Sequence, residues 1–367
     1  MDKVGETILE IDLDALAHNY HYLKSKLLPK TKFLAVVKAF AYGSDMVTIA
    51  KTMETLGANY LAVAYVQEGV LLREAGITIP ILVLHPLPIN FEQMVAHQLE
   101  PCLYSPKILT EFLKTAQEQG LKDYPVHIKF NTGLNRLGFW ETDVEHISQQ
   151  LESRDELKVT AILSHLDASE DPNEKEFSLT QIETFKKISA TLTAKLGYSP
   201  IRHMLNTSGI INYPGAQFEM VRSGIGLYGY GNSAIEDKNL KPVAQLKTII
   251  SQMHKIEPGE TVGYNRAFHS DGYRVTATLP LGHADGIGRQ YGNGNTFVMI
   301  NGEKAPIIGN VCMDMIMVDV TGIDCAEGDE VVVFGEENSA ESFACSTNTI
   351  SYEILTAISQ RVKRVIK

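Results

Sequence analysis

Eight short apolar runs, mostly separated by helix-patterned stretches, constrain this chain more than any other feature. The runs fall at residues 33–37, 60–65, 79–84, 101–104, 126–130, 159–163, 201–205 and 218–221. They are too short for buried helices and mostly rich in valine, leucine and isoleucine, which marks strands covered on both faces. Between them, segments such as 108–118, 144–151 and 181–196 place apolar residues at helical spacing. Strand and helix alternating in this way predict a parallel (β/α)8 barrel, an α/β fold of ordinary size for such a span. The pattern is weakest at the fourth run and at 212–216, which is mostly turn chemistry. A helix is expected over 11–27, where Ile11, Leu13, Leu16, Tyr20, Leu23 and Leu27 lie near one face.

The pattern changes near residue 232. Residues 232–242 are polar and read as a linker. Strand-like runs follow at 246–254, 273–281, 296–300, 305–308, 315–320 and 330–334, separated by turns such as Glu257-Pro258-Gly259 and Asn301-Gly302. A helix over 349–360 is expected near the end. The predicted organisation is a barrel over 1–236 followed by a mainly β C-terminal domain over 237–367.

A hydrophobic content of 44% over 367 residues is enough for two cores. The net charge of -11 argues against a nucleic-acid surface. No run approaches the length of a membrane span, so neither nucleic acid nor membrane is an expected partner. Cys102, Cys312, Cys325 and Cys345 form no CxxC pair and no zinc spacing with histidine. No metal site is expected, and a reduced, cytoplasmic setting fits best. The first seven residues lack the apolar stretch of a signal peptide.

In such barrels the chemistry sits at the C-terminal ends of the strands. Lys38 follows the first run, Arg136 follows the fifth, and His165 ends the sixth. Asn206, Thr207 and Ser208 end the seventh, and Arg222 ends the eighth. A lysine at the rim of an apolar core is desolvated, which frees its amine to attack a carbonyl. An aldehyde cofactor such as pyridoxal phosphate needs that amine. A strand-end lysine can equally snorkel to water. The cationic ring suits an anionic ligand. Gly224 and Gly226 after the eighth strand suit either a phosphate cup or a plain turn. Taken singly, His165 reads as structural, Tyr264 as a packed or interfacial tyrosine, Cys312 as a small buried residue, and Asp285 and Asp314 as turn or cap residues.

The motifs VKAFAYG at 37–43, NTGLNRLG at 131–138, Ser164-His165 and VRSGIGLYG at 221–229 resemble those of the alanine racemase family, fold-type III pyridoxal-phosphate enzymes. So do VGY at 262–264, PLGHADG at 280–286, VCMDM at 311–315 and the late Tyr352-Glu353. The resemblance runs from the first helix to Tyr352. It implies a pyridoxal 5'-phosphate enzyme that interconverts L- and D-alanine, an amino-acid substrate, and a homodimer with shared active sites that supplies D-alanine for peptidoglycan.

The resemblance also implies roles. Lys38 would hold the cofactor aldehyde and act as a base on one face of the substrate. Tyr264, from the partner's β domain, would be the opposite base. Arg222 would meet the pyridine nitrogen, with His165 beside the ring orienting it. Tyr42, Thr207, Gly224, Ile225 and Tyr352 would hold the phosphate, and Asn206 belongs to the same strand end. Arg136 would support the cofactor's phenolic oxygen and the substrate carboxylate, and Met313 and Asp314 of the partner would line the carboxylate site. Lys129 falls where some members carry a carbamylated lysine.

Phe40, Ser44-Asp45, Leu134 and His283 depart from residues usual in the family: asparagine, histidine-glycine, methionine and tyrosine. His283 bears on the entry corridor and therefore on substrate preference. Alternatives are a racemase of serine or of broad specificity, a decarboxylase and a non-catalytic pyridoxal-phosphate carrier. Arg222 argues against the decarboxylase, whose place there is usually taken by glutamate. The second domain with Tyr264 argues against the carrier.

Overall fold

The computed structural model describes residues 5–152 and 154–367; residues 1–4 of the polar N-terminal segment lie outside the described residues. The eight expected strands are present. They are β2 (Lys32–Val36), β3 (Tyr60–Val63), β4 (Ile81–Val83), β5 (Glu100–Leu103), β6 (Tyr124–Lys129), β7 (Leu157–Leu163), β8 (Ile201–His203) and β9 (Met220–Ser223), preceded by β1 (Ile8–Ile11). β2 to β9 close into a barrel in chain order, with β9 parallel to β2. Helices such as Pro106–Glu118 and Lys175–Leu196 cross between them. The weak segment before β9 is a short helix, Thr207–Asn212, and a single 3-10 turn, Pro214–Ala216.

The first helix is Leu13–Ser25, two residues shorter at each end than expected. Asp12 stops it early: its Oδ1 accepts the Ala15 amide at 2.8 Å and caps the helix. Tyr20 on that helix meets Phe33 of β2 edge-on at 5.0 Å, and both are fully buried. Truncating Phe33 to alanine would cost about 3–5 kcal/mol.

The second domain is a nine-stranded sheet. Its strands are β10 (Ala244–Ile249), β11 (Gln252–Ile256), β14 (Arg274–Leu279), β15 (Phe297–Ile300), β16 (Glu303–Ile308), β17 (Ile316–Asp319), β18 (Glu330–Phe334) and β19 (Lys363–Ile366), with β1 as the ninth. A two-stranded ribbon, β12 (Thr261–Val262) and β13 (Phe268–His269), stands apart.

Three expectations are corrected. The single strand expected over 246–254 is two: the chain breaks at Ile250–Ser251, and β10 and β11 lie far apart in the strand order. β1 belongs to the second sheet, antiparallel to β10 and parallel to β19, although it precedes the barrel. Residues 232–242, read as a polar linker, carry a short helix tied to the barrel. The helix Ala234–Asp237 straddles the expected 236/237 boundary, and buried Glu236 receives Ser208 Oγ at 2.9 Å and Asn212 Nδ2 at 2.7 Å.

Candidate active site

The C-terminal ends of the barrel strands surround a cavity of about 720 Å³. Its lining includes Lys38, Tyr42, Arg136, His165, Arg222 and Tyr352, and also Asn206, Thr207, Gly224 and Ile225.

Lys38 stands at the start of an unusual turn. Ala39, Phe40, Ala41 and Tyr42 all have φ of 53–54°. Such left-handed backbone costs L-residues about 1–2 kcal/mol each. Hydrogen bonds hold it in place. The Gly43 amide donates to Ala39 O at 2.8 Å, and Gly43 O accepts Arg364 Nη2 at 2.8 Å. Only glycine fits at 43, because a Cβ there would lie 2.0 Å from Leu355 O. The turn keeps Lys38 at the cavity wall. Burial lowers its pKa, the nearby Arg136 lowers it further, and the charge of Glu68 opposes both.

Arg222 is buried on β9 and held by both terminal nitrogens. Nη1 donates to His203 Nδ1 at 2.7 Å and His203 O at 3.1 Å. Nη2 donates to Ser164 O at 2.7 Å, His165 Nδ1 at 3.0 Å and Met204 O at 3.1 Å. Among the described residues its Nε has no partner, which leaves one charged donor free for an acceptor in the cavity. Burial pushes Arg222 down to about 10, so it stays charged at neutral pH. Burial and the Arg222 charge hold His165 well below the usual histidine value. His165 is therefore neutral there and accepts through Nδ1.

The opposite end suits phosphate. A Cβ at Gly224 would lie 2.1 Å from Tyr42 Oη, so only a bare backbone lets that hydroxyl approach. Tyr42 stacks on Tyr228 at 4.5 Å and lies 5.9 Å from the Tyr352 ring. Burial raises both Tyr42 and Tyr352, which keeps them as neutral hydroxyl donors. Thr207 Oγ1 accepts the Gly226 amide at 3.2 Å and pairs with Ser223 Oγ at 3.0 Å. Asn206 has structural work: its Oδ1 caps Gly209 N at 2.8 Å and accepts Ser169 Oγ at 2.8 Å.

Arg136 has no carboxylate partner among the described residues, which suits it to an anionic ligand. Lys129 is buried on β6, and burial lowers its amine, with Arg136, Arg222 and Lys38 acting the same way and Cys102 opposing. The donor set therefore fits an aldehyde that carries a phosphate at one end and a ring nitrogen at the other.

Three expected residues do not line this cavity. Tyr264 is 71% exposed on the turn Tyr264–Arg266 between β12 and β13. Met313 is 59% exposed, and Asp314 accepts Arg361 Nη2 at 2.6 Å on the surface of the second domain. Conversely, Tyr65, His85 and Asn232 line the cavity without having been singled out. Tyr65 and His85 lie just beyond β3 and β4, where the strand-end rule applies. Asn232 carried no signal, since it lies in the polar stretch read as a linker.

The model of the alanine racemase N-terminal domain matches residues 11–232, and that of the C-terminal domain matches 243–366. The alanine racemase of Clostridium novyi is 38% identical over 369 residues, covering 97% of this chain and 94% of its own. The solved alanine racemase of Clostridium difficile 630 superposes with a TM-score of 0.93 at 34% identity, covering 100% and 97%. The Bartonella henselae structure, with covalently bound pyridoxal phosphate, gives 0.90 at 30% identity, covering 99% and 100%. Both halves of the chain and nearly all of its length are thus accounted for: the chain belongs to the alanine racemase family.

Proposed function

We propose that this alanine racemase binds pyridoxal 5'-phosphate on Lys38 and works as a homodimer, with each site completed by the partner. When bound, the cofactor supplies an electron sink that acidifies the α-proton of the amino acid attached to it. The rest of the work falls to the chain. The Lys38 amine, shifted toward its neutral form by burial, moves a proton at one face of the alanine α-carbon. The phenol oxygen of Tyr264 from a second copy moves one at the opposite face. Two bases are needed because a single one cannot readily reach both faces.

The free Nε of Arg222 donates to the ring nitrogen without surrendering its proton. Tyr42, Thr207, Gly224, Ile225 and Tyr352 grip the phosphate, and His165 packs by the ring. Arg136 holds the substrate carboxylate, with Met313 and Asp314 of the second copy. The exposure of Tyr264 and Met313, both apolar or aromatic, supports a surface that another copy covers. The four unpaired cysteines support a reducing, cytoplasmic setting, in which the product would feed peptidoglycan. Among the described residues no helix is long and apolar enough to cross a membrane.

The observation that carries the reading is the conjunction, in one cavity, of a pKa-lowered lysine, a guanidinium with a free nitrogen and a glycine cradle under a tyrosine hydroxyl. The test is D-alanine formation from L-alanine with and without added pyridoxal phosphate, for the wild type and for Lys38→Ala. Cofactor-dependent racemisation lost in K38A is expected. No D-alanine, or a faster rate with serine than with alanine, overturns it.

A further inference from the structure

A polar chain crosses the barrel interior beneath the site. Glu100 on β5 is 7% exposed, and His127 on β6 and His203 on β8 are fully buried. His127 Nε2 lies 2.8 Å from Glu100 Oε2, and His127 Nδ1 lies 3.3 Å from His203 Nε2. The last link is the 2.7 Å contact from Arg222 Nη1 to His203 Nδ1. Four strands thus contribute one member each.

We propose that Glu100 is a positioning residue for Arg222: by accepting the hydrogen bond of the His127 Nε2–H it completes the proton order that Arg222 starts, locks both histidine tautomers from the far end and so holds the Nη1 arm in place. The direction follows from donor and acceptor counting. A guanidinium only donates, so His203 Nδ1 accepts and its single proton sits on Nε2. That proton points at His127 Nδ1, which must therefore be bare. His127 then carries its proton on Nε2 and donates it to Glu100. Every link is satisfied, and no other arrangement satisfies all three. A doubly protonated His127 would set two N–H groups against each other at 3.3 Å. The Glu100–His127 contact is accordingly a hydrogen bond from a neutral imidazole, not an ion pair.

The surroundings agree. Burial, then the Arg222 charge, hold His203 well below the usual histidine value. Glu100 also faces Tyr60 and Tyr124, whose phenols burial raises, and Arg73, whose charge it supports. The Tyr60 ring stands edge-on to His127 at 5.8 Å. Among the described residues, the hydrogen-bond contact of His127 Nε2 is to Glu100. With Nη1 held by His203 and Nη2 by backbone carbonyls and His165, Nε is the arm left for the cofactor ring. That last consequence rests on the proposed cofactor reading; the proton order does not.

The test uses the full-length chain stripped of cofactor and labelled with ¹⁵N-histidine. Nitrogen shifts at neutral pH should show both His127 and His203 as fixed Nε2–H tautomers. Glu100→Leu removes the acceptor and should release the His127 tautomer. It should also weaken pyridoxal phosphate binding, read by fluorescence titration, by about tenfold. Glu100→Gln keeps an acceptor oxygen without the charge and should restore both readouts. A doubly protonated His127 in the wild type overturns the proposal even if E100L does not fold. Unchanged tautomers and affinity in E100L overturn it too. If the wild type binds no pyridoxal phosphate, the cofactor reading falls while the nitrogen shifts still decide the chain.

Discussion

Glu68 ties the amide of Ala39 to the amide of Ala64. Its Oε1 accepts from Ala39 at 2.6 Å, and its Oε2 accepts from Ala64 at 2.7 Å and Tyr65 at 3.2 Å. Ala39 follows Lys38, and Ala64 follows β3, so one carboxylate fastens the mount of the lysine to the neighbouring strand. Hydrogen bonds to a charged group are worth about 1.5–3 kcal/mol. Glu68→Gln loses the charge and one acceptor. Because that charge raises the Lys38 pKa, its removal lets the free amine appear at lower pH. The pH profile for attachment of pyridoxal phosphate to the stripped protein should move toward acid; a move toward base contradicts the assignment.

Phe40 sits at φ 53° and is about half exposed. Asparagine tolerates that backbone better than phenylalanine does. Phe40→Asn is expected to stabilise the protein by about 0.5–1 kcal/mol, and Phe40→Val, β-branched, to destabilise it. Thermal unfolding of the two variants checks the order.

His165 and His203 are both held well below the usual histidine value in the folded state. The unfolded chain binds protons at these positions below about pH 6.5, where the folded chain does not. Stability contributed by their neutral forms is therefore present above that pH and is lost as the pH falls. Each residue contributes a slope of about 1.4 kcal/mol per pH unit. Urea unfolding of the cofactor-free protein at pH 7, 6 and 5 should show the decline, with a shallower one in a His165→Gln variant.

Gly224→Ala would drive a Cβ to within 2.1 Å of Tyr42 Oη. The hydroxyl must swing away, which opens the cradle proposed for the phosphate. Cofactor affinity should fall about tenfold or more, a loss of about 1.4 kcal/mol, with folding intact by circular dichroism. Unaltered affinity would show that this end of the cavity does not hold the phosphate.

The proposed sharing of each site between two copies makes a statistical prediction. Lys38→Ala and Tyr264→Phe should each be inactive in racemisation. Randomly mixed dimers of the two give intact sites at about a quarter of the total. Refolding them together should recover activity near that level, whereas sites confined to single chains would recover none.

The barrel was legible because its strands are continuous apolar runs with few other ways to be buried. The cavity followed from them: Lys38, Arg136, His165 and Arg222 stand at strand ends whose positions the runs define. The left-handed turn was not legible, since Ala39, Phe40 and Ala41 carry no glycine or asparagine to announce it. Gly43 closes it locally, but its conformation is held by Glu68 and Arg364, distant partners that local sequence does not reveal. The break at Ile250–Ser251 was hidden by an alternation that reads as one long strand. β1 was not read as a strand: only its last residue, Ile11, fell within the helix expected over 11–27, and four residues, Ile8–Ile11, form too short a pattern to announce a strand.

The pairing of Ile8 with Lys247 on one side and Lys363 on the other has a consequence for synthesis. At about 5–20 residues per second, the first of these partners follows β1 from the ribosome by roughly tens of seconds. The barrel strands emerge in that interval. An apolar segment must therefore wait, tethered by the Leu13–Ser25 helix, until material translated much later flanks it. Premature release between the two events would leave one edge of β1 open to neighbouring chains, a hazard that ends only when Lys363–Ile366 zips into register.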